Sequence, residues 1–229
     1  MGLRTYLKMK NTAPILSEGD KMETILFINA CIRESSRTKK LADAALKQYI
    51  AERTAGEEKT EKKSLFGEIF KTNVIERDLA CFPVAPLDKS GLERRENGGD
   101  TGFDGSFFEL AKEFSSAETV IVAAPYWDLS FPAVLKAYFE AVCVCGLTFH
   151  YGEDGMPHSL CKAKRLIYVT TSGGYIGEMN FGFDYVKGLC KIFFEIDDAR
   201  FISAQGLDID GNDPEKILFD AIDRLTFDF

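Results

Sequence analysis

Five short apolar runs are spaced along the chain at residues 24–28, 73–79, 119–123, 165–171 and 199–203, and amphipathic or polar stretches separate them. The run Ile25, Leu26, Phe27, Ile28 is continuous, as is Val120, Ile121, Val122. Continuous apolar runs suit strands buried on both faces of a parallel sheet. The run at 73–79 reads as a second strand and the start of the loop beyond it. Between the runs the period changes to that of a helix. Within 38–51, Leu41, Ala44, Ala45, Leu46, Tyr49 and Ile50 recur at helical spacing. Helices are also predicted at 107–115, 132–144, 181–194 and 214–225. Pro132 falls near a first turn, where its missing N–H costs nothing, and Asp213 is placed to cap the last helix.

The remaining segments are less regular. Residues 1–21 show no periodicity, so 1–22 is expected to be a polar tail ahead of a single domain at 23–229. Translation starting at Met22 is an expectation that intact mass of the native protein tests. Residues 52–63 are charged and read as a loop or frayed helix end. Residues 81–105, with Pro83 and Pro86, read as a long irregular segment of the kind that is functional or mobile. Residues 149–155 read as a turn-rich excursion. No internal repeat is present.

Alternating strands and helices predict a three-layer α/β fold, with helices on both faces of a parallel sheet. Five such units fit a doubly wound sheet of strand order 2-1-3-4-5. Ligands bind such sheets at the carboxyl ends of the strands, at the switch point. Here that selects the loops after the first, third and fourth strands.

Composition narrows the function. The 229 residues are 45% hydrophobic and 28% charged, enough for a sizeable core. A formal net charge of −8 argues against general nucleic-acid binding, which needs clustered cations. The short basic cluster Lys162, Lys164 and Arg165 reads as a solvated loop before a strand. No apolar run approaches the roughly 18 residues of a membrane span, and no secretory signal opens the chain, so a cytoplasmic protein without membrane partners is expected. The six cysteines form no Cys-x-x-Cys pair, and neither a disulfide framework nor a metal site is expected.

Three loops carry candidate chemistry. The first, 29–38, offers the hydroxyls of Ser35, Ser36 and Thr38 at a helix N-terminus, with Arg37 beside them. Such a terminus favours an anion, and a hydroxyl-rich loop suits one phosphate monoester. Simple capping of the helix by Ser36 accounts for the same residues. Walker and dinucleotide glycine patterns are both absent. The second loop, 125–132, holds Pro125, Tyr126, Trp127, Asp128 and Leu129. It reads either as a wall for a planar ligand or as a loop anchored by packed aromatics. The third follows the fourth strand with Thr171, Ser172, Gly173 and Gly174. Its paired glycines allow positive φ and close backbone approach to a flat ring, or form an ordinary turn.

With these residues, the chain resembles the flavodoxin-like NAD(P)H-dependent oxidoreductases that include FMN-dependent NADH-azoreductases and NAD(P)H quinone reductases. The resemblance runs from about Glu23 to Arg224. It is carried by Ala-Pro-Tyr-Trp-Asp-Leu-Ser-Phe-Pro ending at Pro132, by the Leu135-Lys136 helix, and by Gly146-Leu-Thr-Phe-His-Tyr ending at Tyr151. It implies that Ser36, Arg37 and Thr38 hold the FMN phosphate. Pro125, Tyr126, Trp127, Asp128 and Leu129 would then run along the isoalloxazine ring, and Thr171, Ser172, Gly173 and Gly174 along its other polar edge. It further implies a ping-pong cycle from NADH or NADPH to a small quinone or azo acceptor, with the flavin rather than any side chain carrying the chemistry. A homodimer with Phe149 and His150 near the substrate is implied too. Three departures stand out. Asp128 occupies a position where azoreductases commonly carry Asn, Ser172 replaces a frequent Arg, and Ala30 lies where an early Ser is usual. A flavodoxin-type electron carrier and an NADPH-dependent FMN reductase are the alternatives within the same fold.

Overall fold

The computed structural model describes residues 22–59 and 71–227. The leader at 1–21, the end of the charged stretch at 60–63 and the last two residues lie outside them. In chain order the elements are β1 (Met22–Asn29), α1 (Arg37–Lys59), β2 (Lys71–Asp78), α2 (Lys89–Glu96), α3 (Glu109–Ser116), β3 (Thr119–Ala123), α4 (Ala133–Val142), β4 (Phe149–Tyr151), β5 (Pro157–Ser159), β6 (Arg165–Thr171), α5 (Phe181–Phe194), β7 (Asp198–Ala204) and α6 (Pro214–Asp223).

Five strands form one parallel sheet in the order β2-β1-β3-β6-β7. With the small β4–β5 hairpin set aside, this is the expected 2-1-3-4-5 topology. The alternation of side chains along each strand explains the two cores. On one face Leu26, Ile28, Val120, Val122 and Leu166 pack with Phe114, Leu135, Phe139, Val186 and Phe194, from α3, α4 and α5. On the other, Ile25, Phe27, Ile121, Ile167 and Val169 pack with Leu41, Ala45, Tyr49 and Leu218, from α1 and α6. Burying each large side chain of this kind contributes about 1.5–3 kcal/mol, which is why the central strands carry no polar face.

Several local expectations change. Helix α1 continues beyond residue 51 because its charged residues find partners. Arg53 Nε donates to Glu23 at 3.1 Å, and Glu52 accepts from the backbone of Phe227 at 2.5 Å. The stretch 81–105 is not wholly irregular. Asp88 accepts from the N–H of Gly91 at 2.7 Å and starts α2, and a short 3₁₀ turn spans Gly98–Thr101. The excursion at 149–155 is the antiparallel hairpin β4–β5, with His150 opposite His158. Asp213 caps α6 as expected, accepting from Glu215 and Lys216. All six cysteines are free. No described helix is long and apolar enough to cross a membrane.

Candidate functional site

The carboxyl ends of β1, β3, β6 and β7 open into a cavity of about 480 Å³. That size falls within the range of small-ligand sites. Its first wall is the β1–α1 loop. Ser36 Oγ accepts from the N–H of Lys39 at 3.2 Å, so Ser36 does cap α1. It also lines the cavity, beside Ser35 and Arg37, so the capping and anion-site interpretations describe the same residue. The first turn of α1 holds no acidic residue of its own, and the positive end of the helix dipole favours an anion there.

Thr38 is buried, and its hydroxyl lies 2.6 Å from that of Thr171. The pair ties the first loop to the third. In a bond between two hydroxyls only one proton is shared, so the accepting hydroxyl keeps its own proton for another partner. Cys31, behind the same loop, is buried, and burial pushes its thiol up to about 11. It is therefore neutral near pH 7 and offers no thiolate.

The second wall is the β3–α4 loop. Tyr126 donates its backbone N–H to Thr171 at 3.1 Å and its hydroxyl to the Met179 carbonyl at 2.7 Å. Trp127 and Ser130 exchange backbone hydrogen bonds of 3.1 and 2.7 Å. They enclose Asp128 and Leu129, at φ +49° and +68°. This is the two-residue turn with both central residues left-handed, which usually takes Asn-Gly or Asp-Gly. Leucine there carries strain of about 1–3 kcal/mol. Pro125, Tyr126 and Trp127 line the cavity, whereas Asp128 and Leu129 are exposed and do not. Replacing Leu129 with Gly is expected to raise unfolding stability by about 1 kcal/mol in a denaturant titration. A loss of stability would show that the leucine side chain gains more by packing than its backbone costs. Gly182 of α5 supports this turn. A Cβ there would lie 3.2 Å from the backbone of Ser130.

The third wall is the β6–α5 loop, where Thr171, Ser172 and Gly173 line the cavity and Gly174 does not. Ser172 Oγ donates to the Gly174 carbonyl at 2.6 Å. The paired glycines allow positive φ, but neither adopts it. Gly173 makes room for a neighbour instead, since a Cβ there would lie 2.5 Å from Asp208 Oδ2 and the carboxylate would have to shift.

Two parts of the site were not expected. Leu207 and Asp208, from the loop after β7, line the cavity. Their N–H groups donate to Ser172 and Gly173, prolonging the β6–β7 pairing. Adjacency of the fourth and fifth strands in the expected order was the signal for this loop. Arg33 is the second, with its guanidinium carbon 5.8 Å from the Trp127 ring centroid. By contrast Phe149 and His150 do not line this cavity. Phe149 is buried against Phe193, with ring centroids 4.8 Å apart, and His150 is exposed beside His158.

One cavity thus joins hydroxyls, a helix N-terminus and a guanidinium to an aromatic wall. It can hold an elongated ligand with an anionic group and a flat apolar ring.

Residues 23–226 match the flavodoxin-like fold family. An FMN-dependent NADH:quinone oxidoreductase 2 of Clostridium acetobutylicum is 30% identical over 210 residues, covering 89% of this chain and 96% of the relative. An FMN-dependent NADH:quinone oxidoreductase of Coprothermobacter proteolyticus is 30% identical over 209 residues, covering 88% and 95%. Among solved structures, an azoreductase from Bacillus anthracis superposes with a TM-score of 0.68 at 21% identity, over 89% of this chain and 97% of that one. An FMN-dependent NADH-azoreductase from the same species, in complex with FMN, gives 0.67 at 22% identity, over 89% and 96%.

Proposed function

The chain belongs to the flavodoxin-like fold family, alongside the FMN-dependent NADH:quinone oxidoreductases, and from that premise we propose that it is an FMN-dependent enzyme passing electrons from NADH to quinone- or azo-type acceptors. The supporting observation is the meeting of an anion-favouring wall and an aromatic wall in one cavity. The residues present fit the cofactor. Ser35, Ser36, Arg37 and the start of α1 suit its phosphate. Pro125, Tyr126 and Trp127 suit one side of its ring, and Thr171, Ser172 and Gly173 on the third wall suit its other polar edge.

When bound, FMN supplies the hydride and electron chemistry. The chain's own residues hold and orient. The Thr38–Thr171 pair fixes the spacing of two walls. Asp128, although it departs from the usual Asn, keeps its carboxylate off the cavity wall. Ping-pong turnover, with NADH leaving before the acceptor binds, is part of the proposal. So is a homodimer, supported by the exposed apolar Tyr151 and Met156 on the hairpin and Phe181 on α5. Chromatography at native concentration tests the dimer.

The deciding experiment has two steps. Purified protein is examined for oxidised-flavin absorbance, then assayed for NADH oxidation with menadione. Yellow protein with menadione-dependent turnover is the expected result. Colourless protein that takes up no added FMN would sink the cofactor assignment. Flavin-loaded protein without NADH oxidation would instead be an electron carrier.

A further inference from the structure

Asp208 sets a carboxylate on the wall of a cavity whose other features favour an anion. Its Oδ1 lies 2.9 Å from Arg37 Nη1, joining the first loop to the loop after β7. Its N–H donates to the Gly173 carbonyl at 3.0 Å, and its Oδ2 occupies the space that a Cβ on Gly173 would need. Backbone and side chain are therefore both seated on the third loop. The ion pair crosses the cavity wall at the residue assigned to phosphate binding.

This arrangement carries an electrostatic conflict. Arg37 adjoins Ser36 in the chain, and Asp208 already engages it. A phosphate arriving there meets a cation that is partly neutralised, and a like charge beside it. The Asp208 side chain is 70% exposed, so water screens the effect and makes it moderate.

We propose that Asp208 is a specificity-determining residue that competes with the cofactor phosphate for Arg37 and keeps bound FMN exchangeable. The proposal rests on the FMN assignment above. It predicts a selective gain when the carboxylate becomes an amide, because Asn keeps the backbone bond to Gly173 and the side-chain shape but loses the charge.

The test is flavin titration, followed by fluorescence, of the full chain and of Asp208→Asn, with FMN and with riboflavin, which lacks the phosphate. FMN should bind about three- to tenfold more tightly to the variant, and riboflavin affinity should be unchanged. In an Arg37→Gln background the gain from the same substitution should shrink, since the contested cation is gone and only the direct repulsion remains. Weaker or unchanged FMN binding by Asp208→Asn overturns the proposal, as does a parallel gain for riboflavin. So does the full gain persisting without Arg37. Wild-type protein that binds neither flavin overturns the cofactor assignment itself, and this proposal with it. Tight wild-type binding without a selective gain overturns the competition alone.

Discussion

Arg37→Glu is expected to raise the dissociation constant for FMN by about a hundredfold or more. A charge-assisted hydrogen bond contributes about 1.5–3 kcal/mol, and each 1.4 kcal/mol is a factor of about ten. Substitution by glutamate removes that contact and sets a second carboxylate beside Asp208, 2.9 Å from the original guanidinium. Riboflavin affinity should be nearly unchanged, because the loss concerns the phosphate. Thermal stability should fall little, since exposed ion pairs contribute about 0–1 kcal/mol. Flavin titration and thermal unfolding of the same sample separate the two effects. A variant that purifies with wild-type flavin occupancy would show that Arg37 is no phosphate ligand.

Phe114→Ala should have the largest effect on the fold and little on the site. Phe114 is fully buried on α3, with its ring centroid 4.6 Å from that of Phe194 on α5. Truncating such a residue costs about 3–5 kcal/mol, from lost transfer energy and the cavity left behind. Against a typical total of about 5–15 kcal/mol this is a large share. Chemical denaturation should report it as a lower midpoint with an unchanged slope. Phe114 lies outside the candidate site, so FMN affinity of the folded fraction should match wild type. A loss below about 1 kcal/mol would show that α3 and α5 close over the gap. A parallel loss of flavin affinity would show that the core beneath α3 also shapes the cavity.

The layers of the fold were legible because burial on both sides of a strand demands an unbroken apolar run, as in Ile25, Leu26, Phe27 and Ile28. The apolar period of helix α5 is strong enough to mark both its ends, Phe181 and Phe194. Helix α2 was missed because it has little apolar face. Its one large aliphatic residue, Leu92, is 39% exposed, and the helix is started by Asp88. The hairpin β4–β5 was missed because three-residue strands are too short to show a period.

By itself, then, the sequence determined the alternation of strands and helices, which follows from hydrophobic period, a local property. That alternation fits the strand order 2-1-3-4-5 and, through it, points to three of the loops at the ligand end. Only the tertiary structure decided how those loops meet. Thr38 reaches Thr171 across 133 positions, and Arg37 reaches Asp208 across 171. It also decided that Asp128 and Leu129 both take positive φ, although a leucine carries no turn signal. Periodicity says which face of an element is buried. Which polar groups then meet at the sheet's end depends on how adjacent strands bring distant loops together.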